Sequence, residues 1–120
     1  MIKIAEITED ITTTLKTITE VGGRVFPIAA TEGTAYPFMV YERTATTVQE
    51  TKDGFVDLAA TFNVRIVTAT YFEGLTILDK VLAKLEHPES RHGLSYNVRL
   101  QGASEEFVNE GYVQTITFSV

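Results

Sequence analysis

Between Val56 and Ile66 the apolar residues Val56, Leu58, Ala60, Phe62, Val64 and Ile66 alternate with Asp57, Ala59, Thr61, Asn63 and Arg65. A strict period of two means a strand with one buried face and one wet face. A run from Phe55 to Thr68 would extend about 45 Å at ~3.3 Å per residue. That is longer than the core of a 120-residue domain needs, so part of the strand is expected to project beyond it.

The faces that could cover such a strand are helical. Ile4, Ile7, Ile11, Leu15 and Ile18 make one stripe of a helix, with Glu6, Glu9, Asp10, Lys16 and Glu20 around the rest of its surface. Thr12, Thr13 and Thr14 are weak helix formers, but the periodicity outweighs them, and Gly22-Gly23 supplies a stop. The spacing predicts a helix over 3–21. A second stripe of Leu75, Leu78, Val81, Leu82 and Leu85 follows Thr70-Tyr71-Phe72-Glu73, which reads as a capping box, and Pro88 ends it.

Between the helices lie a short extended piece, Val25 to Ile28, whose Pro27 suits an edge or a strand end, and a strand, Phe38 to Arg43. Polar residues from Thr44 to Gly54 make either a loop or the tip of a long hairpin. Leu94 to Gln101 alternates as another strand, Gly102 to Gly111 reads as a turn carrying Glu105, Glu106 and Glu110, and Tyr112 to Val120 closes the chain. The order is α-β-β-β-α-β-β. It predicts one α+β domain over 1–120, with two amphipathic helices on one face of a mostly antiparallel sheet of four to five strands. The last strand is expected to leave an open edge.

Composition narrows the function. The net charge is −6, from 10 Lys and Arg against 16 Asp and Glu, which disfavours broad electrostatic binding of nucleic acid. With Cys 0 there is no disulfide framework and no thiolate site. Glu6, Glu9 and Asp10 interrupt any signal-peptide core, and no apolar run approaches a membrane span.

Motifs for chemistry are sparse. His87, Glu89 and His92 have metal-ligating side chains, but they share a proline-containing stretch with Arg91 and no further ligands are evident. Gly22-Gly23-Arg24 lacks the spacing and lysine of a phosphate loop. Ser90, Ser95 and Ser104 have no nucleophile-elbow context. Tyr36, Phe38, Tyr41, Phe62 and Phe118 suit base stacking, yet alternation turns most of them inward. No enzyme constellation, cofactor site or metal site is expected.

Val21-Gly22-Gly23-Arg24-Val25-Phe26-Pro27, followed after a spacer by Tyr36-Pro37-Phe38-Met39-Val40-Tyr41, resembles the start of the tail-completion (tail-terminator) proteins of long-tailed bacteriophages. The leading helix, the long alternating strand, the leucine-rich helix and the closing strand pair follow in the same order, so the resemblance spans nearly the whole chain. It implies a ring, typically of six copies, on the head-proximal end of the tail tube. That ring would stop tube growth and offer a surface to the head connector. Partners implied are the chain itself, tail tube protein and the connector, in a virion made in a bacterial cytoplasm. Neither membrane contact nor sequence-specific nucleic-acid binding is implied. The candidate interface residues are Thr46, Val48, Glu50, Lys52, Asp53, Arg65, Thr115, Thr117 and Ser119. Because DNA would traverse the ring, an acidic lumen with Glu50 and Asp53 at the hairpin tip would let phosphates slide past.

Overall fold

A computed structural model describes residues 4–50, 56–87, 97–108 and 110–120, with the backbone alone over 47–50 and 56–59. The first helix, α1 (Ile4–Lys16), is shorter than its stripe. Its threonines bond back to the helix itself: Thr8 to the Ile4 carbonyl, Thr12 to Thr8 and Thr14 to Asp10, at 2.7–2.8 Å. Such back-bonding gives the hydroxyls partners while weakening the helix. After Lys16 the chain tightens into i→i−3 turns and a 3-10 turn over Thr19–Val21. Ile18 and Val21 stay buried beside Ile7, Ile11 and Leu15, so the stripe outlasts the α-helix. Gly22, at φ +55°, closes it in the left-handed region.

Five strands follow in sheet order β1-β2-β3-β5-β4. β1 (Val25–Pro27) runs parallel to β2 (Phe38–Glu50), and every other pair is antiparallel. The long alternating segment is β3 (Val56–Thr68), at the centre. β2 and β3 pair from Phe38↔Val67 out to Glu50↔Val56, with a bulge at Thr44. The polar stretch after Arg43 is therefore the arm of a long hairpin; its tip, with Lys52, Asp53 and Gly54, lies outside the described residues. β5 (Gly111–Ser119) stops opposite Thr61, leaving the last rows of the hairpin two-stranded. The arm accounts for an elongated molecule of 51 × 25 × 24 Å.

One face of the sheet is covered by α1 and by α2 (Tyr71–Glu86). Ile7, Ile11, Leu15, Ile77, Val81 and Leu85 from the helices meet Met39, Phe62, Val64, Ile66, Ile116 and Phe118 from the sheet. The stripe of α2 is rotated from the leucines expected: Ile77 takes the centre, and Leu78 and Leu82 pack at its margin. Thr70 is the N-cap residue, but its side chain makes no cap bond. Gly74 donates its N–H to the Thr70 carbonyl, which also accepts from the Thr68 hydroxyl at 2.7 Å.

Two expectations about the C-terminal half are corrected. The stretch expected to be a turn, Gly102 to Gly111, is mostly β4 (Arg99–Val108), and only its end turns back into β5. Small and charged residues there imitate a loop, and cross-strand pairing overrides them. The open edge belongs to β4: β5 has β3 on one side and β4 on the other. The expected strand over Leu94 to Gln101 lies largely outside the described residues, as do Glu89, Ser90, Arg91, His92 and Ser95.

Candidate functional site

Among the described residues, four surfaces stand out for contact: the uncovered (outer) face of the sheet, the hairpin arm, the β4 edge and the opposite edge beside Ile28. Among the predicted interface residues, Arg65, Thr115, Thr117 and Ser119 come together on the outer face, through the rows Arg65↔Thr115, Asn63↔Thr117 and Thr61↔Ser119. Arg65 Nη2 bonds Glu42 Oε1 at 2.8 Å, and the Thr117 hydroxyl donates to Asn63 Oδ1 at 2.8 Å. The ion pair is partly exposed, so it contributes at most about 1 kcal/mol. The patch is polar, and Arg65 and Thr117 in it have partners within the sheet, which suits a wet surface.

Thr46 sits elsewhere, on the covered side at the root of the arm, where its hydroxyl accepts from Arg43 Nη1. Val48 and Glu50 continue β2 into the arm, and the positions of Lys52 and Asp53 lie outside the described residues. The predicted set is thus two groups on different parts of the sheet.

The β4 side carries features that the sequence reading missed. Every residue of β4 is exposed, and Leu100, Phe107 and Val108 are large apolar side chains among them. Phe107 packs on Tyr112 at 4.9 Å between ring centres, Tyr112 on Tyr71 at 5.9 Å, and Tyr71 on Phe72 at 5.5 Å. Phe72 is 77% exposed. Glu105 lies in this cluster, accepting from the Tyr71 hydroxyl at 3.0 Å and from Gln114 Nε2 at 3.1 Å. Hydrogen bonding to that carboxylate pushes the Tyr71 phenol above its ordinary value of 10, and burial adds to the shift. Glu105 was expected in a turn; strand pairing opposite Gln114 places it beside both donors. The cleft between these groups is about 230 Å³, below the roughly 300–1,000 Å³ usual for a small-molecule site.

The opposite edge has its own apolar feature. Ile28 is 73% exposed and has φ +66°, a strained conformation for a β-branched residue. Its N–H donates to the Tyr41 carbonyl at 2.8 Å, and the Ala29 N–H reaches back to Pro27 O at 2.7 Å. This tight turn ends β1 and lifts the chain away from β2. A cleft of about 360 Å³ results, lined by Thr8, Pro27, Ile28, Tyr41, Arg43 and Phe62 among others.

Among the described residues, no group of three or more acidic or histidine side chains is placed to hold a metal, and no helix is long and apolar enough to cross a membrane. No family model and no curated protein matches the sequence. Among solved structures, a chain of the virion of a native gene transfer agent (GTA) particle matches with a TM-score of 0.71, over 97% of this chain and 93% of that one. At 13% identity, the likeness is one of fold.

Proposed function

We propose that this chain is a structural virion protein that forms a ring on the head-proximal end of a phage-like tail tube. The ring ends tube polymerisation and presents a docking surface for the head connector. The observation that carries this reading is the likeness of fold, along nearly the whole of both chains, to a component of a gene transfer agent virion. The order of elements and the Gly-x-Arg-Val-x-Pro-like and Pro-aromatic segments of tail-completion proteins point the same way. The shape supports it further: an arm reaching past the core and a fully exposed edge strand are surfaces a monomer does not need. The role is structural, with self-assembly, tube protein and connector as partners, and a ring of six is expected. No cofactor enters it.

The test is sedimentation of the purified protein over a concentration series, with negative-stain imaging of the heaviest species, alone and with purified tail tubes. Closed rings with a central hole, and tubes that stop growing once capped, are the expected result. Tubes that go on elongating with uncapped ends at saturating protein would refute the proposal.

A further inference from the structure

Resting on the ring reading, we infer that neighbouring copies join by sheet pairing: the β4 edge of one copy lies antiparallel along the distal half of β2 in the next, with Phe107 seated in the cleft beside Ile28. The two edges of the sheet are open over similar lengths. β1 pairs with β2 only at Met39, Val40 and Tyr41. From Arg43 to Glu50 the only strand beside β2 among the described residues is β3. β4 is open along Arg99–Val108. Unpaired N–H and C=O rows of this kind are templates for another strand.

Direction and face agree with a second copy as the occupant. β2 and β5 run one way while β3 and β4 run the other, because β2-β3, β3-β5 and β5-β4 are all antiparallel. A second sheet laid alongside with its helices on the same side therefore sets its β2 antiparallel to β4. The two edges differ, so the contact is head-to-tail and repeats around an axis, the kind of interface that closes a ring. Pairing of β4 with β4 would give a two-fold dimer.

Register is limited by side-chain parity, since like faces must meet and registers step by two. Arg43 and Thr46 are on the covered side of β2, and Ala103, Glu105 and Phe107 are on the covered side of β4. With Phe107 across from Arg43, its ring reaches the cleft of Thr8, Pro27, Ile28, Tyr41 and Phe62. Thr46 then faces Glu105, and the exposed Arg43 lies one diagonal from that carboxylate, within reach of a long side chain. The strained turn at Ile28 keeps β1 from occupying the place the neighbour needs.

The chain has no cysteine, so introduced thiols report without background. Antiparallel partners have Cα atoms roughly 4.5–5.5 Å apart, inside the range a disulfide spans. Thr46→Cys is combined with Glu105→Cys or with Ala103→Cys, which bracket the register, and assembled protein on tail tubes is oxidised and run on a denaturing gel. The expected result is a ladder of covalent oligomers up to the ring number in the Thr46→Cys/Glu105→Cys variant, with single variants monomeric; a ladder from the Thr46→Cys/Ala103→Cys pair alone would overturn the register and the seated phenylalanine. Rings visible in the microscope without a ladder in either double variant would overturn the pairing and leave the ring reading standing. Covalent dimers from Ala103→Cys alone would also overturn it, in favour of β4-β4 contact. Failure of the wild type to form rings on tubes would sink both. Independently, Phe107→Ser should raise the concentration for half-assembly at least tenfold while the protein stays folded at the assay temperature; wild-type assembly would refute the seated phenylalanine.

Discussion

Phe62, Phe118 and Leu100 occupy one row across β3, β5 and β4, all on the covered side of the sheet. Their environments differ sharply: Phe118 is fully buried and Leu100 is 51% exposed. The rings of Phe62 and Phe118 stack with centres 5.5 Å apart and planes 15° from parallel. Truncating Phe118 to alanine removes a ring from a closed cluster that includes Leu15, Val64 and Ile116, with a transfer loss and a cavity loss together of about 3–5 kcal/mol. Against a total stability of about 5–15 kcal/mol for an ordinary domain, that is a large fraction. Leu100→Ala removes a side chain already half in water, and should cost under ~1 kcal/mol. Urea unfolding of the two variants beside the wild type measures both. With a slope of ~1.5 kcal/mol/M, Phe118→Ala lowers the midpoint by roughly 2–3 M while Leu100→Ala moves it by well under 1 M. Equal shifts, in either direction, would refute the placement of β4 as an uncovered edge. Phe62→Leu, Phe118→Leu and the double variant should in addition show a coupling of about 0.5–1.5 kcal/mol from the stacked pair.

Gly74 is in the first turn of α2, where alanine would ordinarily stabilise by about 1 kcal/mol. A Cβ there would lie 3.0 Å from the Thr68 hydroxyl and 3.4 Å from Gln114 Cγ. Thr68 is fully buried and pinned to Thr70 O, so Gly74→Ala should destabilise by about 1–2 kcal/mol in thermal melts, and a rise in midpoint would refute this. The Lys80 ammonium donates to Glu20 at 2.7 Å and, with the Thr19 hydroxyl, holds that carboxyl below its ordinary 4.5. Its contribution is present above about pH 4.5 and is lost as the pH falls through the lowered value. Lys80→Met should therefore weaken acid dependence in this region, measured as the difference in stability between neutral and acidic pH. Tyr71, raised above 10 by Glu105, favours its neutral form in the folded protein, a contribution present below pH 10 and lost as the pH climbs through the raised value. An absorbance titration should show one phenol shifting back toward its ordinary value in Glu105→Gln, and no change would contradict the contact.

Much of the architecture was legible because local periodicity states which side of an element is buried. Ile7 to Ile18 of the first stripe and Ala60 to Ile66 of the long alternation both meet one core. Legibility failed where pairing overrode composition. Gly102, Ser104, Glu105 and Glu106 look like turn residues, yet β5 supplies their ladder partners. It failed also at Thr70, which is the N-cap residue as the spacing suggests but whose side chain makes no cap bond. Of the candidate interface, Arg65, Thr115, Thr117 and Ser119 were named alongside Thr46 and Val48 as a single set, and it is the ladder rows that bring those four onto one polar face. Phe107, Phe72 and Ile28 were not named in it, because an exposed apolar residue and a buried one are written alike.

The sequence by itself determined the number and type of elements, the two helix stripes and the inward side of β3. Each of these follows from residues within a turn or a few positions of one another, through backbone geometry and side-chain spacing. Only the tertiary structure decided which strands lie at the edges, that β5 is flanked on both sides, and that β1 stops after Pro27 and leaves the rest of β2 open. Strand neighbours are chosen by contacts between residues far apart in the chain. A strand's own alternation shows which face is buried, and carries no record of whether its N–H and C=O rows have found a partner.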